Sequence, residues 1–208
     1  MKKFLIGLSV LLVLLFSGGC YKSPVLTHTP RAEAEKGCEL NDAMQCYILG
    51  LKYSREGLDT EKDYLKAKKY YLKTVELNAG LGYKGLGDLY FWRGYEFPKD
   101  WKSDYPKARK YYHKACEFNN PSACYLIAKQ YMYGSYGVKE NNSKAEKYLL
   151  KACNLKLAKG CFSVGLLYEQ GRLGTKPDYL KAIKYYRKSC DISATGCHRI
   201  KYLKERIK

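Results

Sequence analysis

Cys161-Phe162-Ser163-Val164-Gly165-Leu166-Leu167-Tyr168, followed thirteen residues later by Lys181-Ala182-Ile183-Lys184-Tyr185-Tyr186-Arg187-Lys188-Ser189-Cys190, decides the fold. In the first stretch Cys161, Val164, Gly165 and Tyr168 stand at i, i+3, i+4 and i+7, one face of a helix. In the second, Ala182, Tyr186 and Cys190 stand at i, i+4 and i+8, one face of another. Alanine and glycine at fixed points on these faces let neighbouring helices approach, and tyrosine fills the space beside them.

Both phrases recur. Lys66-Ala67-x-x-Tyr70-Tyr71, Lys107-Ala108-x-x-Tyr111-Tyr112 and Lys144-Ala145-x-x-Tyr148-Leu149 repeat the second; Leu49-Gly50-x-x-Tyr53, Leu86-Gly87-x-x-Tyr90 and Ile127-Ala128-x-x-Tyr131 repeat the first. Cys116, Cys153 and Cys190 are 37 residues apart, Val75 takes the same place 41 residues before Cys116, and Cys38 lies 37 before Val75. A fixed period of this size marks a solenoid. Glycine-rich stretches such as Gly134-Ser135-Tyr136-Gly137 and Gly171-Arg172-Leu173-Gly174 read as loops. Four extra residues in the loop region holding Trp92 and Trp101 account for the longer step. The fold class is therefore all-α, a stack of antiparallel helix pairs over residues 31–208, with four repeats of about 37–41 residues and half-repeats at the ends.

Eight of the nine cysteines form four close pairs, 38/46, 116/124, 153/161 and 190/197. Each straddles the tight turn of a helical hairpin, where two Cα atoms come within disulfide reach. The repeat thus reduces the many possible connectivities to Cys38–Cys46, Cys116–Cys124, Cys153–Cys161 and Cys190–Cys197. Closing so short a loop contributes about 2.5 kcal/mol per bridge on the chain-entropy view. Zinc is the weaker reading, since no C-x2-C knuckle is present. Val75 and Tyr83 replace one pair, so one hairpin is unstapled and expected to open most readily. Lys201 stands where other repeats have Gly or Ala, which suits a C-terminal cap.

The remaining cysteine, Cys20, follows an N-terminal leader. Lys2 and Lys3 precede an apolar run over residues 4–16, then Ser17-Gly18-Gly19. The run is too short to span a bilayer and reads as an export signal over residues 1–19. Ser17 and Gly19 suit ordinary signal peptidase. The same stretch resembles a bacterial lipobox with Ser17 in place of the usual aliphatic residue, which makes Cys20 a lipidation site and residues 20–30 a tether. Nine cysteines in an exported chain fit an oxidising compartment.

The paired phrases resemble the Sel1-like repeat, and the C-x7-C staples resemble its exported cysteine-rich bacterial branch, the Hcp-like proteins. The resemblance covers about residue 31 to the C-terminus. It implies a TPR-like αα solenoid curved into a right-handed superhelix with a concave groove. It also implies either a binding scaffold or, as described for some relatives, a penicillin-binding or weakly hydrolytic β-lactamase-type protein.

The residues themselves give an enzyme little. S-x-x-K, S-D-N, K-T-G, H-x-H and H-E-x-x-H do not occur, so neither a serine β-lactamase kit nor a catalytic zinc site is expected, and no cofactor. His28, His113 and His198 are scattered. The Lys-Ala lysines read as solvated helix faces and the tyrosines as core with one end wet, 22 of them against six phenylalanines. The formal charge of +18 falls by only two without the leader and favours an acidic partner, a peptide, protein or cell-wall component. Nucleic acid is not expected for an exported chain, and the chain is expected to be a monomer, lipid-anchored in the bacterial cell envelope facing the periplasm or at the outer membrane, with a secreted or periplasmic form as the alternative. Trp92 and Trp101, beside the unstapled hairpin, are the candidate binding residues.

Overall fold

The computed structural model describes residues 29–55, 61–96, 101–174 and 176–207, without the side chains of Arg55, Glu61, Lys62, Glu96 and Trp101. The leader, Cys20 and the tether up to residue 28 lie outside the described residues.

All regular structure among the described residues is helical. Helices α1 (Arg31–Glu39) and α2 (Ala43–Arg55) form the first hairpin, α3 (Glu61–Leu77) and α4 (Ala79–Glu96) the second, α5 (Trp101–Glu117) and α6 (Pro121–Tyr133) the third. The fourth joins α7 (Asn142–Asn154) to α8 (Ala158–Glu169), and the fifth α9 (Tyr179–Ser193) to α10 (Cys197–Arg206). Short polar side chains set the starts. Asn120, Asn141 and Asp178 accept the amides of Ala123, Lys144 and Lys181 at 2.8–3.0 Å, and Pro121 occupies the first turn of α6. Each helix packs chiefly on its chain neighbours, and α2 also reaches α4. The core accordingly runs as successive clusters along the stack.

Disulfides join Cys38–Cys46, Cys116–Cys124, Cys153–Cys161 and Cys190–Cys197, with Cα atoms 4.6–5.0 Å apart. Three stapled turns reverse through a left-handed residue at the same repeat position, Asn41, Asn119 or Lys156, with φ of 63°, 60° and 65°. The unstapled turn is built differently. Asn78 alone separates α3 from α4, and it caps α4 by accepting the Leu81 amide at 3.1 Å. The helices then nearly touch: a β-carbon on Gly82 would stand 2.3 Å from the Val75 nitrogen. The sequence reading expects a loose hairpin here; at Gly82, where a side chain would not fit, the two backbones come together without a bridge.

The two sequence phrases meet inside each repeat unit. The glycine of Leu-Gly receives the ring of the second tyrosine of Lys-Ala-x-x-Tyr-Tyr. A β-carbon would stand 2.4 Å from Tyr71 at Gly50, 2.6 Å from Tyr112 at Gly87 and 2.7 Å from Tyr186 at Gly165. In the remaining unit both positions change together, to Ala128 and Leu149, and both residues are fully buried in one cluster. A smaller knob is matched to a shallower hole.

Candidate functional site

The first tyrosine of each Tyr-Tyr pair, or of Tyr148-Leu149, stacks on the tyrosine that ends the Leu-Gly phrase. Tyr53–Tyr70, Tyr90–Tyr111, Tyr131–Tyr148 and Tyr168–Tyr185 have centroids 5.5–6.0 Å apart and planes within 12°. The lysine of each Lys-Ala then covers the outer ring. Lys66, Lys107, Lys144 and Lys181 lie 4.8–5.6 Å from the centroids of Tyr53, Tyr90, Tyr131 and Tyr168. Cation–π contact at such sites is worth about 0.5–1 kcal/mol. These lysines are therefore more than a solvated face; they seal the repeat seam. Burial, then the neighbouring ring, pushes the hydroxyls of Tyr70, Tyr111 and Tyr148 above their ordinary range, which keeps the ladder neutral.

A second aromatic cluster departs from this pattern. It sits where the chain carries its extra residues, between α4, α6 and the loop after α6. Phe91 and Trp92 stand edge to face at 5.5 Å, and Tyr136 packs on Phe91 at 4.9 Å and on Tyr105 at 4.6 Å. Tyr136 holds φ of 58°, a conformation unfavourable for a side-chain-bearing residue, so its ring is held in place against strain. Phe91, Trp92 and Tyr136, with Tyr133 and Leu126, wall a pocket of about 330 Å³. Trp92 is 45% exposed and Tyr133 60%.

The polar groups of the pocket have unequal calls on them. Asp88 accepts the Tyr112 hydroxyl at 2.9 Å and pairs with Lys84 at 2.5 Å, and Lys84 also donates to the Tyr47 hydroxyl at 3.0 Å. Burial disfavours the Lys84 charge, but the Asp88 carboxylate outweighs it and holds the ammonium above its ordinary value. Tyr47 and Lys84 are one repeat apart, so the network bridges α2, α4 and α5. Gln130, in contrast, is 5% exposed and its Oε1 has no hydrogen-bond partner among the described residues. Lys129 beside it is exposed and forms no ion pair among them.

Of the candidate residues, Trp92 lines this pocket. Trp101 opens α5, and its side chain is outside the described residues. Phe91, Lys129, Gln130 and Tyr133 are absent from the sequence reading, and Tyr136 enters it only as part of a loop. Tyr133 and Tyr136 flank Gly134-Ser135, and two tyrosines around a loop glycine were the available signal. His113 sits away from the pocket, its Nδ1 3.3 Å from the Tyr148 hydroxyl, and burial followed by the nearby Arg109 lowers its pKa. No group of three His, Cys, Asp or Glu side chains able to hold a metal ion occurs among the described residues.

Residues 46–78, 81–117, 121–157 and 158–192 each match the Sel1 repeat. The chain belongs to the Sel1-repeat family. Each Sel1 match begins in a Leu-Gly helix and ends at or beyond the following Lys-Ala helix, so the tyrosine stacks and glycine sockets are internal to the unit. A Sel1-repeat protein from Oxalobacter formigenes is 24% identical with a TM-score of 0.58, over 77% of this chain and 62% of its own. The protective antigen c5321 of uropathogenic Escherichia coli is 21% identical with a TM-score of 0.64, over 86% of this chain and 37% of its own. The chain thus spans less than two thirds of either. The cysteine-rich protein HcpB of Helicobacter pylori is 31% identical over 65% of this chain and 92% of its own, with a TM-score of 0.48. No curated protein sequence matches the chain significantly. Sel1-repeat proteins as a class are protein-interaction scaffolds. The four disulfides suit an oxidising, extracytoplasmic setting, and no helix among the described residues is long and apolar enough to cross a membrane.

Proposed function

We propose that this Sel1-repeat chain is an exported scaffold, held to the cell envelope through a lipidated Cys20, that binds a peptide or protein segment in the aromatic pocket between α4 and α6. The pocket carries the reading. A stapled hairpin and a tightly packed one carry it, and its aromatic walls are partly exposed.

Export rests on the leader over residues 1–19 and on four bridges that form only where thiols are oxidised. Anchoring rests on Cys20 being the cysteine left after the other eight pair. Fractionation of cells tests this part: wild-type protein in the membrane fraction and Cys20→Ala released from it supports anchoring, and equal distribution refutes it. Affinity capture from the envelope, compared between wild type and Trp92→Ala, tests the scaffold part. A partner retained by wild type and lost from Trp92→Ala is the expected result.

A further inference from the structure

We infer that the pocket takes an aromatic side chain from an extended acidic peptide segment, whose adjacent carboxylate pairs with Lys129. The inference rests on the scaffold function proposed above and names its ligand chemistry.

Size comes first. A volume of about 330 Å³ lies at the low end for ligand pockets, enough for one large side chain. Phe91, Trp92, Tyr133 and Tyr136 surround it, and aromatic rings prefer edge-to-face partners of their own kind. The walls are preorganised. Tyr136 already stands in its strained backbone conformation and is packed on two rings, so binding need not order it.

Polarity then selects among aromatic ligands. The Asp88 carboxylate is already committed to Lys84 and Tyr112 and offers no free charge to a cationic side chain. An anion fits well. Lys129 lines the rim without an acidic partner among the described residues, and the chain carries +18 overall.

Two acetylated, amidated peptides test this, Gly-Gly-Trp-Glu-Gly and Gly-Gly-Trp-Lys-Gly, titrated to 5 mM into the full disulfide-bonded chain and followed by NMR. Tri-N-acetylglucosamine is titrated separately as a cell-wall glycan probe. The acidic peptide is expected to shift the Trp92 indole and the Gln130 side-chain amide, and to bind at least fivefold more tightly than the basic one. Lys129→Glu, an exposed site, should reverse that preference. Unchanged preference in Lys129→Glu, shifts confined to other residues, or no shift at all overturns the inference. Shifts from the glycan at Trp92 and Gln130 with none from either peptide also overturn it. The scaffold reading fails separately, when envelope capture yields no partner dependent on Trp92.

Discussion

The ring of Tyr186 occupies the space beside Gly165 so closely that a β-carbon there would stand 2.7 Å from its Cε1. The Tyr186 hydroxyl donates to Glu169, which also pairs with Arg199 of the terminal helix at 2.8 Å. Gly165→Ala should therefore destabilise by about 1–3 kcal/mol, the usual cost of overpacking. Adding Tyr186→Leu should cost less in that background than alone, because Ala128 and Leu149 show the pair working elsewhere in the chain. A double-mutant cycle in denaturant checks this, and strict additivity would remove the socket argument.

The unstapled hairpin leads to a prediction about reduction. Gly82 lets α3 and α4 approach closely, with a β-carbon there only 2.3 Å from the Val75 nitrogen. Tyr83 adds contacts to Tyr111 and Phe118 at 6.2 and 5.8 Å, with Lys114 over its ring. Reducing the disulfides should remove about 2.5 kcal/mol from each of the other hairpins and leave this one unchanged. Hydrogen exchange on the reduced chain should find α3 and α4 the most protected pair. Earlier exchange there than in α7 and α8 would contradict the packing account.

Lys156 sits in the left-handed region at φ 65°, where Asn41 and Asn119 occupy the equivalent turns. Asparagine tolerates that conformation better than lysine. Lys156→Asn should stabilise the chain by about 0.5–1 kcal/mol, read as a higher denaturation midpoint. An unchanged or lower midpoint would show that the turn gains nothing from the residue type.

His113 gives a pH signature. Burial and Arg109 lower its folded-state pKa below the ordinary 6.5, with Glu117 opposing more weakly and Tyr148 as its hydrogen-bond partner. Between that lowered value and 6.5 the unfolded chain binds more protons than the folded one. Stability therefore falls as pH drops through this window and is fully present above it. His113→Gln, which keeps a polar partner for Tyr148, should lose less stability between pH 7.5 and pH 5.5 than wild type. Equal losses would show that His113 does not contribute.

The repeats, the helical hairpins and the bridge pattern were legible in the sequence because the same constraints recur every turn of the stack. Glycine must face tyrosine, and cysteine must face cysteine, so Gly165 and Tyr186 announce each other through Gly50 and Tyr71 or Gly87 and Tyr112. The pocket was legible only at Trp92. Gln130 and Lys129 lie on a helix whose periodic residues point inward, and nothing in their spacing distinguishes them. Tyr136 matters through a single backbone conformation and two ring contacts, neither of which any period encodes. The geometry of the unstapled turn was illegible for a related reason: the loss of Cys at residues 75 and 83 is visible, but the close approach permitted by Gly82 appears only in three dimensions.

Photo-crosslinking in living cells tests the pocket-bearing scaffold most directly. A benzophenone amino acid at Tyr133, exposed at the pocket, should yield a discrete adduct that disappears with Trp92→Ala. The same group at Leu40, 76% exposed in the first stapled turn, should not yield that adduct. The same adduct from both positions, or one from Tyr133 that survives Trp92→Ala, would contradict a binding site between α4 and α6.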